Sequence, residues 1–155
     1  MKKGRVFSIN ISKIKGVSKI PVDKALLIKG FGVEQDAHAG SELRQVSLLA
    51  IESISKQNEK ISKNIGNFHQ SPSLNPGAFA ENITTEGISL LDLKVGAKLK
   101  VGEKVLIEIS KIGKECHKYC AIYYKTGDCI MPKEGIFARV LEGGEIYVGD
   151  SIVEA

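Results

Sequence analysis

Apolar and polar residues alternate one by one near the start of the chain. The stretch RVFSINISKI, residues 5–14, places Phe7, Ile9 and Ile11 on one face and mostly polar residues on the other. A two-residue period is typical of a β-strand with one buried face. We therefore predict a strand here, with these three apolar side chains directed toward the core.

Glycine and proline residues mark two loops further along. In KALLIKGFGVEQDAHAG, residues 24–40, a short apolar run is followed by Gly30 and Gly32, which predicts a strand and then a loop. NFHQSPSLNPG, residues 67–77, is polar and contains two prolines. Such composition is typical of a loop rather than of a helix or strand.

Between these loops lies the best helix candidate of the chain. It is QVSLLAIESISKQNEKI, residues 45–61, in which charged residues separate apolar ones. The apolar residues that recur near a 3.6-residue period are Leu48, Ile51, Ile54 and Ile61. Asn64 or Gly66 would end this helix.

The second half of the chain has the pattern of β-structure. AKLKVGEKVLIEIS, residues 97–110, carries two alternating apolar stretches around a Gly-Glu turn, which predicts a hairpin. Its inward-facing residues would be Leu99, Val101, Val105, Ile107 and Ile109. GGEIYVGDSIVEA, residues 143–155, repeats the pattern around a Gly-Asp turn, with Ile146 and Val148 before it and Ile152 after it. Many short strands and few helices predict a mainly β fold, a closed or nearly closed β-barrel with one or a few short helices, in a single domain over residues 1–155.

Composition excludes several classes of function. The net charge of +4 comes from scattered lysines, and aromatic residues make up only 6% of the chain, so no nucleic-acid surface is indicated. No apolar run approaches the roughly 18 residues of a membrane span. The first residues, MKKGRVFSINISK, lack the apolar region of a signal peptide. We therefore expect a cytoplasmic protein without a disulfide framework.

All three cysteines of the chain fall within GKECHKYCAIYYKTGDC, residues 113–129, together with one of its three histidines. The residues alone leave three interpretations open. The cysteines could be small buried hydrophobes. Cys116, His117, Cys120 and Cys129 could instead bind zinc, although their spacing does not form the paired knuckles of common zinc fingers.

The third interpretation is a reactive or metal-binding thiolate. Lys111, Lys114 and Lys118 lie close to the cysteines in sequence, and cations near a thiol lower its pKa. Thiolate sulfur binds soft metals. The same lysines could equally form a solvated surface, so the pattern does not identify the metal.

Three longer stretches together resemble the MOSC family, named after the C-terminal domain of molybdenum cofactor sulfurases. They are PGAFAENITTEGISLLDLKVGAKLKVGEKVLIEIS, GKECHKYCAIYYKTGDC and GIFARVLEGGEIYVGD, and GVEQDAHAG and RQVSLLAIESI extend the resemblance into the first half. The resemblance implies a β-barrel that binds molybdenum cofactor, a molybdopterin carrying the metal. Such proteins hand on sulfur during cofactor maturation or use the cofactor to reduce N-hydroxylated compounds.

A family cysteine serves as molybdenum ligand or sulfur carrier, and the resemblance implies that it is Cys120 or Cys116. Cys120 precedes the apolar pair Ala121-Ile122 and resembles the cysteine of the amidoxime-reducing branch. Cys116 follows Gly-Lys-Glu and resembles the cysteine of other stand-alone members. Cys129 matches no general family position and is treated as secondary.

Five further residues match family positions and are candidates for contacts with the cofactor: Arg139, Glu81, Asn82, Asp36 and His38. Arg139 is the first candidate for an anion contact, with a surface salt bridge as the alternative; Lys114 is a second cation that suits the phosphate. Asn82 could bond to pterin edges or form a turn. Asp36 and His38 could serve proton transfer or could stabilise their loop.

The sequence departs from larger members of the family. It has no aminotransferase-like region to mobilise sulfur from cysteine and no N-terminal half like that of the amidoxime-reducing proteins. We therefore expect dependence on a separate cysteine desulfurase, reductase or cofactor-synthesis protein. Whether the domain catalyses sulfur transfer or reduction, or only carries a group, stays open. The alternatives are a zinc-stabilised module and a persulfide carrier.

Overall fold

A computed structural model describes residues 2–65, 75–113 and 130–155 of the chain. The strands in these ranges are β1 Lys3–Ile11, β2 Ile20–Val22, β3 Lys24–Ile28, β4 Gly32–Val33, β5 Val46–Ala50, β6 Ile83–Glu86, β7 Lys98–Val101, β8 Val105–Ile112, β9 Ile136–Glu142, β10 Gly144–Tyr147 and β11 Ser151–Glu154. Helix α1 spans Ile51–Ile65, helix α2 spans Met131–Glu134, and a 3-10 turn spans Leu90–Asp92. None of the helices in these ranges has the length and apolar content needed to cross a lipid bilayer.

Seven of the described strands form a closed barrel. Their order is β11-β7-β8-β9-β5-β6-β1, and pairing of β1 with β11 closes the ring. Neighbours in the ring are antiparallel except for β5 and β6, which are parallel. Strand β2 extends this sheet beyond β1, while β10, β3 and β4 form a separate three-stranded sheet. The predicted mainly β barrel is therefore confirmed.

The barrel interior is filled by apolar side chains from alternate positions of its strands, because successive side chains of a strand point to opposite faces. The predicted hairpin of β7 and β8 shows this directly: the strands pair from Val101 and Val105 outward. All five of its predicted inward residues are fully buried, namely Leu99, Val101, Val105, Ile107 and Ile109.

A second apolar cluster lies on the outside of the barrel wall, where α1 covers β5. Its members are Leu49, Ile54, Ala78, Phe79, Ala80, Ile130 and Phe137. They come from β5, α1, the turn before β6, the residue before α2, and β9. The outer face of β5, and that of β9 at Phe137, is therefore covered by other parts of the chain.

The predicted facing of β1 is wrong for Phe7. Its side chain is 36% exposed, whereas Ser8 and Asn10 are buried. The register of β1 against β6 shifts between Val6 and Ser8, and this bulge reverses the alternation. The core-facing positions thus change from Val6 to Ile9, and Ser8 and Asn10 lie on the opposite face of β1, where they are also buried. There the Ser8 hydroxyl donates to Asn10 Oδ1 at 2.8 Å, and Asn10 Nδ2 donates to the Thr84 hydroxyl at 3.0 Å.

The predicted helix begins later than its apolar period suggests. Residues 46–50 form strand β5, and α1 begins at Ile51. Leu48 therefore belongs to a strand. One face of this strand packs in the barrel core, and its other face packs against α1. A short strand buried on both faces is apolar at most positions and does not alternate. Periodicity therefore cannot distinguish it from a helix. Asn64 lies within α1, and Gly66 lies outside the described residues.

The predicted C-terminal hairpin is also wrong, although its turn forms. Asp150 donates its backbone N–H to the Tyr147 carbonyl at 3.0 Å, and Tyr147 N–H donates to Asp150 Oδ2 at 2.9 Å. Strand β10 then pairs with β3, whereas β11 pairs with β1 and β7. The turn thus connects two sheets, and Val148 within it is 48% exposed.

Two loops cross closely at one end of the barrel. Lys19 N–H donates to the Gly77 carbonyl at 2.8 Å, and the Ser18 hydroxyl donates to the Ala78 carbonyl at 3.0 Å. A Cβ atom on Gly77 would overlap the backbone carbonyl of Lys19, and the φ of Gly77 is +89°. Glycine is therefore required here on two separate grounds, the backbone angle and the space.

A matched pair of alanine substitutions separates these two grounds. Gly96 has a φ of +96° and no atom within 4 Å of a Cβ placed on it. Gly96→Ala should therefore lower the unfolding free energy by about 1–2 kcal/mol, the cost of placing alanine in the left-handed backbone region. Gly77→Ala should lower it by this amount and by roughly 1–3 kcal/mol more, because the Lys19 backbone must also move. Urea denaturation measures both values; equal losses would contradict the close crossing.

Candidate functional site

Three loops meet at the end of the barrel where β1 ends and β6 begins: residues 12–19, 34–45 and 77–81. The first two are joined by Ala37 N–H, which donates to the Ser12 carbonyl at 2.7 Å. The first and third are joined at Lys19 and Gly77, as described above. Four of the predicted site residues lie on or directly beside these loops, namely Asp36, His38, Glu81 and Asn82.

A buried ion pair between Lys19 and Asp36 lies at the centre of this loop cluster. Lys19 Nζ is 2.6 Å from Asp36 Oδ1, and their side chains are 1% and 0% exposed. The same oxygen accepts the backbone N–H of Ser12 at 3.0 Å. The other carboxylate oxygen accepts the backbone N–H of His38 at 3.1 Å. One carboxylate thus connects residues from two loops with the end of β1.

These contacts determine the charge of Asp36. Burial alone would raise the pKa of Asp36, because it removes water from the carboxylate. The contacts with His38, Lys19 and Ser12, together with the positive charge of Lys19, outweigh burial and hold that pKa well below its usual range. Asp36 is therefore ionised at neutral pH.

The geometry bears on the two roles considered for Asp36 and His38. His38 Nδ1 is 3.0 Å from Lys19 Nζ but 3.6 Å from Asp36 Oδ2. The Asp36 carboxylate thus accepts a hydrogen bond from the backbone of His38, whereas the imidazole ring of His38 bonds to Lys19. These contacts agree with a loop-stabilising role, and a role in proton transfer stays a prediction. Sequence reasoning did not identify Lys19, because no local pattern marks it.

Glu81 is fully buried and holds the loop before β6 in shape. Its carboxyl group accepts the backbone N–H groups of Gly77 at 3.0 Å and Phe79 at 3.2 Å, and the Thr84 hydroxyl at 2.7 Å. Burial raises the pKa of Glu81, and these hydrogen bonds only partly offset that effect. In this conformation, the polar atoms of the side chain are directed into the protein.

Asn82 is also fully buried, and it joins three strands. Its Oδ1 accepts the backbone N–H of Ser47 at 3.0 Å, and its Nδ2 donates to the Asn10 carbonyl at 3.2 Å. Buried amides need such partners. The contacts agree with the structural alternative for Asn82, and contact with a pterin stays a prediction.

Arg139 lies on the outer face of β9, which also carries an aromatic residue in contact with a second arginine. Phe137 precedes it by two positions and therefore shares its face of the strand. The guanidinium carbon of Arg44 is 5.8 Å from the centre of the Phe137 ring, a cation–π distance. We call these three residues, Arg44, Phe137 and Arg139, the arginine face. Arg44 is a residue that sequence reasoning missed.

The Nε–H of Arg139 is buried and has no hydrogen-bond partner within the described part of the chain. A buried donor without an acceptor costs about 1–3 kcal/mol, so such groups are rare unless they have a function. The predicted surface salt bridge is not formed at this nitrogen. An acceptor supplied by a bound anion would satisfy it.

The loop from Asp36 leads directly to the arginine face. Ser41 N–H donates to the His38 carbonyl at 3.3 Å, and Arg44 N–H donates to the Ser41 hydroxyl at 3.1 Å. The Ser110 hydroxyl of β8 donates to the Leu43 carbonyl at 2.5 Å. These bonds fix residues 38–44 against the barrel wall and place Arg44 beside Phe137.

The cysteine segment begins where β8 ends. Gly113 has a φ of +73°, and its N–H donates to the Gly135 carbonyl at 2.8 Å. Ile130 packs in the second apolar cluster. Gly113 and Ile130, the described residues on either side of the cysteines, thus both contact the wall that carries the arginine face. Residues 114–129 lie outside the described ranges, and with them the candidates Lys114, Cys116, His117, Cys120 and Cys129. The described residues contain no group of three His, Cys, Asp or Glu that could bind a metal.

Comparison with known proteins identifies the family. The MOSC domain family matches residues 35–153. Since this is most of the chain, the protein belongs to the MOSC domain family, which is associated with binding of molybdenum cofactor. A search of curated proteins gives no match.

Solved structures share the fold. YuaD from Bacillus subtilis superposes with a TM-score of 0.76 at 19% identity, covering 97% of this chain and 94% of its own. YiiM from Geobacillus stearothermophilus gives a TM-score of 0.73 at 22% identity, covering 98% of this chain and 75% of its own. YiiM from Escherichia coli gives 0.65 at 19% identity, covering 97% and 69%.

The ion pair predicts a specific dependence of stability on pH. The folded-state pKa of Asp36 lies below its unfolded value of 3.8, so its stabilising contribution is complete well above that value and is lost as the pH falls below it. Asp36→Asn should remove this dependence, and at neutral pH it should cost about 3–5 kcal/mol because Lys19 stays buried without its partner.

Urea unfolding at several pH values measures this dependence, with the exposed Asp92→Asn as the control. The control should keep both the stability and the slope of the wild type. If Asp36→Asn and the wild type lose stability in parallel on acidification, the ion pair does not have this role.

Proposed function

We propose that this protein binds molybdenum cofactor on the arginine face and the adjoining cysteine segment. The observation that carries the proposal is the buried Nε–H of Arg139, which has no acceptor among the described residues. Membership of the MOSC family supports the same ligand.

The residues present suit the chemical parts of this cofactor. Its phosphate group is an anion, and the planar fork of an arginine is well matched to phosphate oxygens. Arg44, whose guanidinium group contacts the Phe137 ring, and Arg139, on the same face of β9 as Phe137, supply two such groups. The unpaired Nε–H adds a directed donor that a phosphate oxygen would satisfy. A thiolate from Cys120 or Cys116 suits a soft metal.

The cofactor would supply a metal centre for sulfur transfer or for reduction of an N–O bond. The chain itself would bind and orient it. Arg139 and Arg44 would hold the anionic end, and Cys120 or Cys116 would hold the metal end or carry sulfur. The buried contacts of Asp36 and Glu81 would keep the surrounding loops in place, so that little ordering is needed on binding.

Partners follow from the same chemistry. For sulfur transfer, a cysteine desulfurase or a cofactor-synthesis protein would deliver the sulfur or the cofactor. For reduction, a separate reductase would deliver electrons. We place the protein in the cytoplasm, where such partners occur and thiols stay reduced.

Arg139→Met tests whether the unpaired Nε–H of Arg139 contributes to binding, because methionine keeps much of the side-chain length and removes the charge and the donors. A hydrogen bond to a charged group is worth about 1.5–3 kcal/mol, so affinity for the cofactor should fall about 10- to 100-fold. Titration of the cofactor's pterin fluorescence measures this.

A second readout separates binding from folding. Because Arg139→Met removes a buried donor without a partner, the variant should be at least as stable as the wild type in urea. Arg5→Met is the matched control, since Arg5 pairs with Glu86 on the exposed surface of β1; it should bind normally. Unchanged affinity in Arg139→Met would refute the assigned contact.

The alternative functions predict other results. A zinc-stabilised module would melt at a lower temperature in the presence of a chelator, because structural zinc contributes to folding. A persulfide carrier would gain the mass of about one sulfur after incubation with a cysteine desulfurase and would bind no metal.

A further inference from the structure

The contact between Lys19 and His38 restricts where the imidazole can carry its proton. Lys19 Nζ is 3.0 Å from His38 Nδ1. An ammonium group has three donors and no acceptor. The Lys19 ammonium group pairs with the carboxylate of Asp36, 2.6 Å away. His38 Nδ1 must therefore accept this hydrogen bond, and it can do so only when it carries no proton.

We infer that Lys19 is a positioning residue that holds neutral His38 in the tautomer with its proton on Nε2. His38 then presents an N–H group, a hydrogen-bond donor, on the edge of the ring that faces away from the ion pair. In this state Nε2 cannot accept a proton.

The alternative, in which Asp36 accepts a proton-bearing Nδ1, does not fit the distances. Asp36 Oδ2 is 3.6 Å from His38 Nδ1, too long for a hydrogen bond. That oxygen accepts the backbone N–H of His38 instead, and Oδ1 accepts from Lys19 and Ser12. Both carboxylate oxygens are therefore already engaged.

The accessible part of His38 agrees with this assignment. The His38 side chain is 17% exposed, whereas the side chains of Lys19 and Asp36 are almost completely buried. Since Nδ1 faces the buried ammonium group of Lys19, we expect the exposed part of the ring to include the Nε2 edge.

A fixed donor at this position would suit a ligand oxygen, such as an oxygen of an anionic group. The hydrogen bonds through Ser41 connect His38 to Arg44. This consequence rests on the proposed function, but the tautomer itself does not. It would give His38 the role of a donor rather than a general base.

Long-range proton–nitrogen NMR correlation of histidine-labelled, ligand-free protein tests the inference. The measurement is made near pH 8.5, about two units above the ordinary pKa of histidine, so that the ring is neutral. His38→Gln assigns the signals of His38 among the three histidines. In the wild type, the bare nitrogen should be Nδ1 and the protonated one Nε2.

Lys19→Met should reverse this pattern. Methionine keeps the bulk of the side chain without a donor, and Asp36 becomes the nearest strong acceptor for Nδ1–H. The bare-nitrogen signal should then shift from Nδ1 to Nε2. Lys13→Met, at an exposed position on the same loop, should retain the wild-type pattern.

A wild-type spectrum with its proton on Nδ1 would overturn the inference, and this result needs no variant to fold. An unchanged tautomer in folded Lys19→Met would also overturn it, since Lys19 would then not set the tautomer. Because the protein is free of ligand, neither result depends on cofactor binding. Failure of the proposed function would appear separately, in the Arg139→Met titration.

Discussion

The ion pair between Lys19 and Asp36 is the contact on which this end of the barrel depends. Two charges without solvent are expensive, and their mutual attraction offsets that cost only when further hydrogen bonds complete the geometry. Asp36 has those bonds, to the backbone of Ser12 and His38. Through Lys19, the pair also reaches Gly77. One buried interaction thus fixes three loops that have no regular secondary structure of their own.

From this anchored end, the chain leads to the surface where we place the cofactor. Hydrogen bonds through Ser41 connect His38 to Arg44, whose guanidinium group lies at cation–π distance from Phe137. Arg139 completes the arginine face from the rigid wall of the barrel. Gly113 and Ile130, which flank the cysteines in sequence, contact the same wall. Binding groups supported by a closed barrel need little reorganisation to meet a ligand.

Local patterns predicted those parts of the fold that local contacts determine. The β7–β8 hairpin joins neighbours in sequence, so its two-residue period and its turn were sufficient. The strand conformation of β5 and the pairing of β10 with β3 depend on contacts with distant parts of the chain. Local periodicity carries no information about such contacts. For the site, family motifs pointed to Asp36 and Arg139. Lys19 and Arg44 were missed, because only the folded chain brings a scattered lysine to Asp36 and an arginine to Phe137.

The most direct test of the account is the cofactor content of the protein purified from a host that makes molybdenum cofactor. Metal analysis and pterin fluorescence should show molybdenum and pterin together in the wild type and in Cys129→Ser. Either Cys120→Ser or Cys116→Ser should lose the molybdenum, the sulfur, or both. A wild-type protein with neither molybdenum nor pterin, which also fails to bind added cofactor, would contradict the central claim.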